Sequence, residues 1–235
     1  MTIAAPDMDV GPDEDVTPLF DRFVFVQSRR GYRFGIDAVL LARHVLAGPH
    51  GPGLEVGAGS GVVSVLLAGW GFAGPLTAIE IQPAMADRAR RNAAANGVAD
   101  RVAVIRADAR DPAALPAGAR FARIFSNPPF FKAGSGRANP DPERATARHE
   151  KTLDMDALLD LVRDRLAPDG VASVLYPAAR EGEVLARASA RPLSVVRVVP
   201  AIPAPGAEAE VVLLDLVHGR GRVCVHDGPV PMQGR

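Results

Sequence analysis

Four short stretches hold the residue types best suited to chemistry: Gly57-Ala58-Gly59-Ser60-Gly61, Glu80, Asp108 and Ser126-Asn127-Pro128-Pro129-Phe130-Phe131. In the last, each proline locks its own φ and restricts the residue before it, so the backbone is held in extended or turn geometry. Pro128 and Pro129 carry no N–H, which leaves carbonyl acceptors without matching donors. Together with the Asn127 side-chain amide and the Phe130 ring, these carbonyls form a receptacle for a planar group bearing an amino function. A Pro-rich strand-to-loop turn over a buried Phe fits the same residues. The glycine stretch lets a backbone approach a ligand closely and presents the N–H groups of a following helix.

The elements that must position these residues follow from hydrophobic pattern. Leu54–Val56, Leu76–Ile81, Arg101–Ala107 and Phe121–Phe125 read as strands, and Gly57, Glu80, Asp108 and Asn127 each fall where one of them ends. Helices are predicted over Val62–Ala68, from Pro83 to the stop signal Asn96-Gly97, and over Leu153–Leu166, where Leu158, Leu159, Val162 and Leu166 recur at helical spacing. Val171–Tyr176, Leu193–Val199 and Val211–Val217 bring the predicted strands to seven. Such alternation implies an α/β, doubly wound, Rossmann-like sheet with its mouth at the carboxyl ends of the strands. The last two strands are separated only by residues 201–210, too few for a parallel crossover, so the sheet is mostly parallel with one antiparallel strand near the C-terminus.

At the N-terminus, residues 1–20 carry no periodicity and read as a mobile acidic tail, with residues 21–235 a single domain. Phe23–Gln27 reads as a short strand or hairpin arm. Gly31-Tyr32-Arg33-Phe34-Gly35-Ile36-Asp37 reads as a loop feeding a helix over Ala38–Leu46, with Asp37 as its N-cap.

Composition sets the class. The 235 residues are 48% hydrophobic and 23% charged, the balance of a globular chain able to bury one substantial core. The single cysteine, Cys224, permits no intramolecular disulfide and no cysteine metal cluster, and no apolar run approaches a membrane span, so a cytoplasmic setting is expected. The five histidines show no metal-ligand spacing, and His149 is the one closest in sequence to the Asn-Pro-Pro stretch. A net charge of zero argues against a protein that coats nucleic acid, but the charge is uneven. Met1–Asp21 has six acids and no base, Arg22–Arg33 four arginines and no acid, and Arg120–Lys151 seven bases against three acids. Basic residues therefore gather around the Asn-Pro-Pro stretch, where they suit a limited phosphate footprint.

A glycine turn after the first strand suits either a dinucleotide or S-adenosylmethionine. The pattern here is G-x-G-x-G, and Val62 stands where the third dinucleotide glycine would be, too bulky for close helix–strand packing. Dinucleotide binding also leaves Asn127-Pro128-Pro129-Phe130 unexplained. With that tetrad and the glycine turn, the chain is similar to class I S-adenosylmethionine-dependent methyltransferases that act on an amino nitrogen conjugated to a ring or carbonyl. Together with Gly31-Tyr32-Arg33-Phe34-Gly35-Ile36-Asp37-Ala38-Val39-Leu40-Leu41 upstream, it resembles the bacterial tRNA1(Val) adenine-37 N6-methyltransferase family from about Phe23 to the C-terminus. Glu55 replaces the commoner Asp of the first motif, and Phe130 stands where many relatives have Tyr.

The resemblance implies a seven-stranded methyltransferase sheet, transfer of a methyl group from S-adenosylmethionine to N6 of an adenine in tRNA, and no metal. It implies that Glu55, through water, and Gly57, Gly59 and Gly61 position the methionine part of the cofactor. Glu80 would bind the ribose hydroxyls, and Asp108 with the backbone of Ala109 would meet the adenine. Arg33 and Asp37 would close the methionine end. Asn127 and Pro128 would accept the hydrogens of the target amine, with Pro129 stiffening the turn and Phe130 stacking on the flipped base. Protein-glutamine amide and ribosomal guanine-N2 methylation pose the same geometric problem and stand as alternatives, as does a non-catalytic cofactor-binding RNA chaperone.

Overall fold

The computed structural model describes residues 8–128 and 153–232. Two short strands, β1 (Glu14–Leu19) and β2 (Phe23–Ser28), come first, followed by α1 (Ile36–Leu46). Then strand and helix alternate: β3 (Gly53–Val56), α2 (Val62–Gly69), β4 (Leu76–Glu80), α3 (Pro83–Ala95), β5 (Val102–Arg106) and β6 (Phe121–Ser126). After the described residues resume come α4 (Met155–Arg165), β7 (Leu166–Pro177), α5 (Glu181–Ser189), β8 (Leu193–Ile202) and β9 (Val211–His218). Two-residue strands β10 (Val225–His226) and β11 (Val230–Pro231) finish the chain's described part.

The main sheet runs β5-β4-β3-β6-β7-β9-β8-β10, with β11 also on β8. Strands β3 to β7 pair in parallel, whereas β9 is antiparallel to both β7 and β8. From β3 the chain winds outward through β4 and β5, then returns to place β6 on the other side of β3. That reversal opens a crevice at the carboxyl ends of β3 and β6, where doubly wound sheets bind ligands. One apolar cluster joins α1 and α2 to one face through Leu41, Leu66 and Phe125. A second joins α4 and α5 to the other face through Leu158, Ile124 and Val184. Among the described residues no helix is long and apolar enough to cross a membrane.

The seven expected strands are present in their expected places, and the antiparallel strand is β9. The mobile tail is corrected: Glu14–Leu19 forms β1, paired antiparallel with β2 across a turn in which Phe20 and Asp21 take φ of 54° and 49°. Two consecutive residues at positive φ make the tight turn whose twist matches a hairpin, a signal that needs no glycine and so was invisible in the sequence. Helix α5 was also unforeseen, since it buries only Val184 and Ala188 and its apolar stripe is correspondingly thin. The segment Pro168-Asp169-Gly170 lies within β7, where the pairing with β6 shifts register. A Cβ on Gly170 would stand 3.0 Å from the Phe121 carbonyl oxygen, so glycine permits that close approach.

The hairpin is fastened to α3 by side chains that act as a third strand. Asn92 Oδ1 accepts from Val26 N (2.7 Å) and its Nδ2 donates to Val26 O (3.2 Å), while Asn96 makes the same pair of bonds to Val24 (3.0 and 2.7 Å). Spaced four apart, the two amides lie on one helix face and satisfy the outer edge of β2. Glu14 adds a buried ion cluster, accepting from Arg88 Nε at 2.6 Å and from Arg91 NH1 and NH2 at 2.8 Å each. The bond from Arg91 is the largest influence holding the Glu14 carboxyl down at about 2, below its ordinary 4.5. A depressed carboxyl stabilises the fold above its unfolded value, and that contribution is lost as pH falls through about 2. Glu14→Ala is therefore expected to lower stability by about 2 kcal/mol at pH 7, allowing for partial screening. Urea denaturation should show the difference shrinking as the medium is taken below pH 4, and a constant difference would remove the charge cluster as its cause.

Candidate active site

The glycine turn is built by its two neighbours. Gly57 N and Ala58 N both donate to Ile79 O at 2.9 Å, which pins the turn to β4, and Gly57, Gly59 and Gly61 take φ of 73°, 56° and 78°. An added Cβ on Gly59 would meet nothing within 4 Å, so that backbone lies open. On Gly61 it would come 2.9 Å from Ala89 Cβ, so this glycine serves the approach of α2 to α3.

Glu80 ends β4 and is 5% exposed. One carboxylate oxygen accepts from Gly59 N and the other from Gln82 N, each at 2.8 Å, so the acid bridges the glycine turn and the start of α3. Beyond β5, Asp108 is held by Arg110, whose Nε and NH2 bond its carboxylate at 2.6–3.1 Å and keep it below the usual carboxylate range. At the end of β6, Ser126 Oγ donates to Val56 O at 2.7 Å, locking this strand end to that of β3 and fixing where Asn127 begins.

These ends face one open cavity. Glu55, Gly57, Gly59, Glu80, Asp108, Ala109 and Asn127 all line it, so seven of the residues singled out from sequence converge. Gly61 and Pro128 do not line it, and Pro129, Phe130, His149 and the whole of the 132–151 segment lie outside the described residues.

Arg33 and Asp37 are placed elsewhere. Arg33 pairs with Asp15 at 2.7 Å and donates to Thr17 Oγ1 and Ser28 O, so it braces the hairpin. Asp37 is not the N-cap: Gly35 occupies that position without a side-chain bond, and Asp37 sits in the first turn. Burial, and then the charge of Glu210, raise its carboxyl above the ordinary value. The same segment instead supplies Tyr32, Phe34 and Ala38 to the cavity. Their alternation with Arg33 was the available signal, because side chains of an extended segment point to opposite sides in turn. Met85 and Gln82, from the opening of α3, also line the cavity and carried no distinguishing pattern.

Glu55 is 4% exposed and accepts from both the backbone N and the hydroxyl of Ser64. Burial dominates its titration, and despite the Ser64 bonds its carboxyl is pushed up from 4.5 to about 7, with Glu80 adding to the rise. The unfolded chain then loses this proton near 4.5 while the folded chain keeps it to about 7, so stability falls as pH rises between those values. The loss is on the order of 3 kcal/mol. Glu55→Gln is expected to flatten the decline of stability between pH 5 and pH 7.5. An undiminished slope in the variant, measured by urea denaturation, would assign the effect to other groups.

The described histidines have local partners: His44 meets Asp215, His50 meets Leu46 O and Ala73 N, His218 meets Leu166 O, and His226 meets Glu181. Among the described residues no group of three or more His, Cys, Asp and Glu side chains is arranged to hold a metal ion.

A doubly wound sheet with a glycine turn, a strand-end acid and an Asn at one crevice defines a methyltransferase, and comparison with known proteins agrees. Residues 54–147 match the family model described as a methyltransferase domain. A predicted O-methyltransferase from Agrobacterium tumefaciens shares the fold at a TM-score of 0.64 and 21% identity, covering 84% of this chain and 88% of its own. TrmN from Thermus thermophilus does so at 0.55 and 21%, covering 77% of this chain and 48% of its own.

The tRNA1(Val) (adenine(37)-N6)-methyltransferase of Aeromonas hydrophila is 33% identical over 213 residues, 88% of each chain. Proteins of the same name from Porphyromonas gingivalis and Shewanella amazonensis are 36% and 39% identical over 67% and 64% of this chain. Those two matches span 64% and 63% of the relatives' own length. The chain belongs to the tRNA1(Val) (adenine(37)-N6)-methyltransferase family. S-adenosylmethionine is the cofactor of such enzymes, and the cavity fits it: the open backbone at Gly59 leaves room for close approach, and carboxylates stand at the ends of β4 and β5.

Proposed function

We propose that this chain transfers a methyl group from S-adenosylmethionine to the exocyclic N6 of an adenine in tRNA, in the cytoplasm. The observation that carries this reading is the placement of Asn127 on the wall of the cavity that also holds Glu55, Glu80 and Asp108. The bound cofactor supplies an electrophilic methyl group. An aromatic amine is a poor nucleophile because its lone pair is delocalised into the ring. The Asn127 side-chain carbonyl and the Pro128 backbone carbonyl accept its two hydrogens, favour a pyramidal nitrogen and stabilise the positive charge that grows on it. Holding that nitrogen in line supplies the remaining advantage, and the proton leaves afterwards.

Glu80, held by Gly59 N and Gln82 N, would accept from the ribose hydroxyls, Asp108 and Ala109 would meet the adenine, and Glu55 would face the ammonium end. Tyr32 and Phe34 supply an apolar wall. The names of the relatives support adenine in tRNA as the substrate. Incubation of the purified chain with labelled cofactor and unmodified total tRNA, followed by nucleoside digestion, should yield N6-methyladenosine. Label found in guanosine or in protein, with none in adenosine, would overturn the reading.

A further inference from the structure

A second cavity opens beneath the C-terminal end of α1, away from the cofactor crevice. Arg123 lines it, four residues before Asn127 on β6 and thus about 13 Å down the strand. Directly paired positions place Ser173, Asp215 and Arg197 in one row across β7, β9 and β8, and His44 reaches that row from α1. This is a polar row on a sheet face otherwise packed with Leu175, Leu213 and Val199.

The acids beside the cavity are closely met, whereas its buried base, Arg123, two residues along β6 from this row and paired with Val171, is met only at long distance. Asp215 accepts from His44 Nε2 at 2.8 Å and from the Ser173 hydroxyl. Asp227, at the cavity mouth, is gripped by Arg197 at 2.6–2.7 Å. Arg123 is 1% exposed, yet its one hydrogen bond is a 3.4 Å contact from NH1 to Val171 O, and its nearest carboxylate oxygen, on Asp215, is 3.9 Å away. Its Nε is the one buried side-chain polar atom without a hydrogen-bond partner among the described residues. A guanidinium has five N–H donors, and burying it with so few answered is costly. Gly48 lies against it, since an added Cβ there would come 2.8 Å from Arg123 NH2.

We infer that this cavity binds a small oxyanion, with inorganic phosphate as its simplest form, on the Arg123 guanidinium with Arg197 at the entrance. An oxyanion presents the planar or forked acceptors a guanidinium matches. Asp215 stands 3.9 Å from both Arg123 and Arg197, and Asp227 is paired with Arg197, so the oxyanion competes with these two acids for the guanidinium groups.

Thermal unfolding of the full chain in phosphate, against chloride at equal ionic strength and with saturating S-adenosylhomocysteine in the cofactor crevice, tests the site. A saturable rise of about 3–5 °C at ten times the midpoint concentration is expected. Arg197→Ala, at a half-exposed position that leaves folding intact, should raise the midpoint at least tenfold, and Arg123→Gln should abolish the response. A rise no larger than chloride produces, one that disappears with S-adenosylhomocysteine, or one that persists in Arg197→Ala would overturn the inference. Competition between phosphate and tRNA for the site would assign the oxyanion to an RNA phosphate, and tRNA affinity indifferent to phosphate and to Arg197→Ala would assign it to a free anion. Methyl transfer to adenine is measured separately, so failure of either reading leaves the other standing.

Discussion

Replacing Asn127 by Ala is expected to lower the rate of methyl transfer about 10²–10³-fold, the usual consequence of removing one preorganised group that meets developing charge. Cofactor affinity should change only a few-fold, because the Glu80 end of the cavity is untouched. The expectation rests on how the residue is held. Ser126, its neighbour, is completely buried and bonded to Val56 O, so β6 delivers Asn127 to the crevice at a position set by β3. Without the amide, the Pro128 carbonyl is left to hold one hydrogen of the target amine, and the lone pair is no longer aimed. Single-turnover kinetics with labelled cofactor would separate chemistry from binding. A variant that keeps its rate but binds tRNA poorly would move Asn127 from the reacting amine to the RNA. A variant that keeps cofactor and RNA binding and still supports the cellular role would favour a chaperone over an enzyme.

Glu80→Ala is expected to weaken binding of S-adenosylhomocysteine about 10²-fold. The carboxylate has two tasks at one place: it faces the cavity, and it accepts the N–H groups of Gly59 and Gln82. Its removal therefore takes away a ligand contact and also frees two backbone donors that shape the glycine turn, each bond to a charged group contributing about 1.5–3 kcal/mol. Glu80→Gln keeps an acceptor for one of those donors and should lose about tenfold. Titration calorimetry on both variants decides: equal losses would mean that the charge alone matters, and unchanged affinity in the Ala variant would detach Glu80 from the cofactor.

The residues that converge here were legible because they sit at strand ends, and strand ends can be read from where an apolar run stops. Gly57, Glu80, Asp108 and Asn127 share a crevice for that reason. Arg33 and Asp37 were not legible in the same way. They lie where the chain passes from the hairpin into α1, Arg33 pairing with Asp15 and Asp37 half-buried in the first turn of the helix, and neither setting shows in the local sequence pattern. The hairpin itself was hidden because its first strand is short and rich in acids, and its partners, Glu14 with Arg88 and Arg91, lie more than seventy residues apart.

What the sequence by itself determined is the order of strands and helices, the antiparallel β9 and which residues stand at the strand ends, because these depend on local periodicity and on connection length. What only the tertiary structure decided is which neighbours those residues meet. Asn92 and Asn96 cap the edge of β2, and Gly61 yields to Ala89. Arg123, a charged residue in an apolar strand, is buried beneath α1 with its Nε unanswered. Such facts follow from packing between distant segments, where burial strengthens every unmet charge and hydrogen bond.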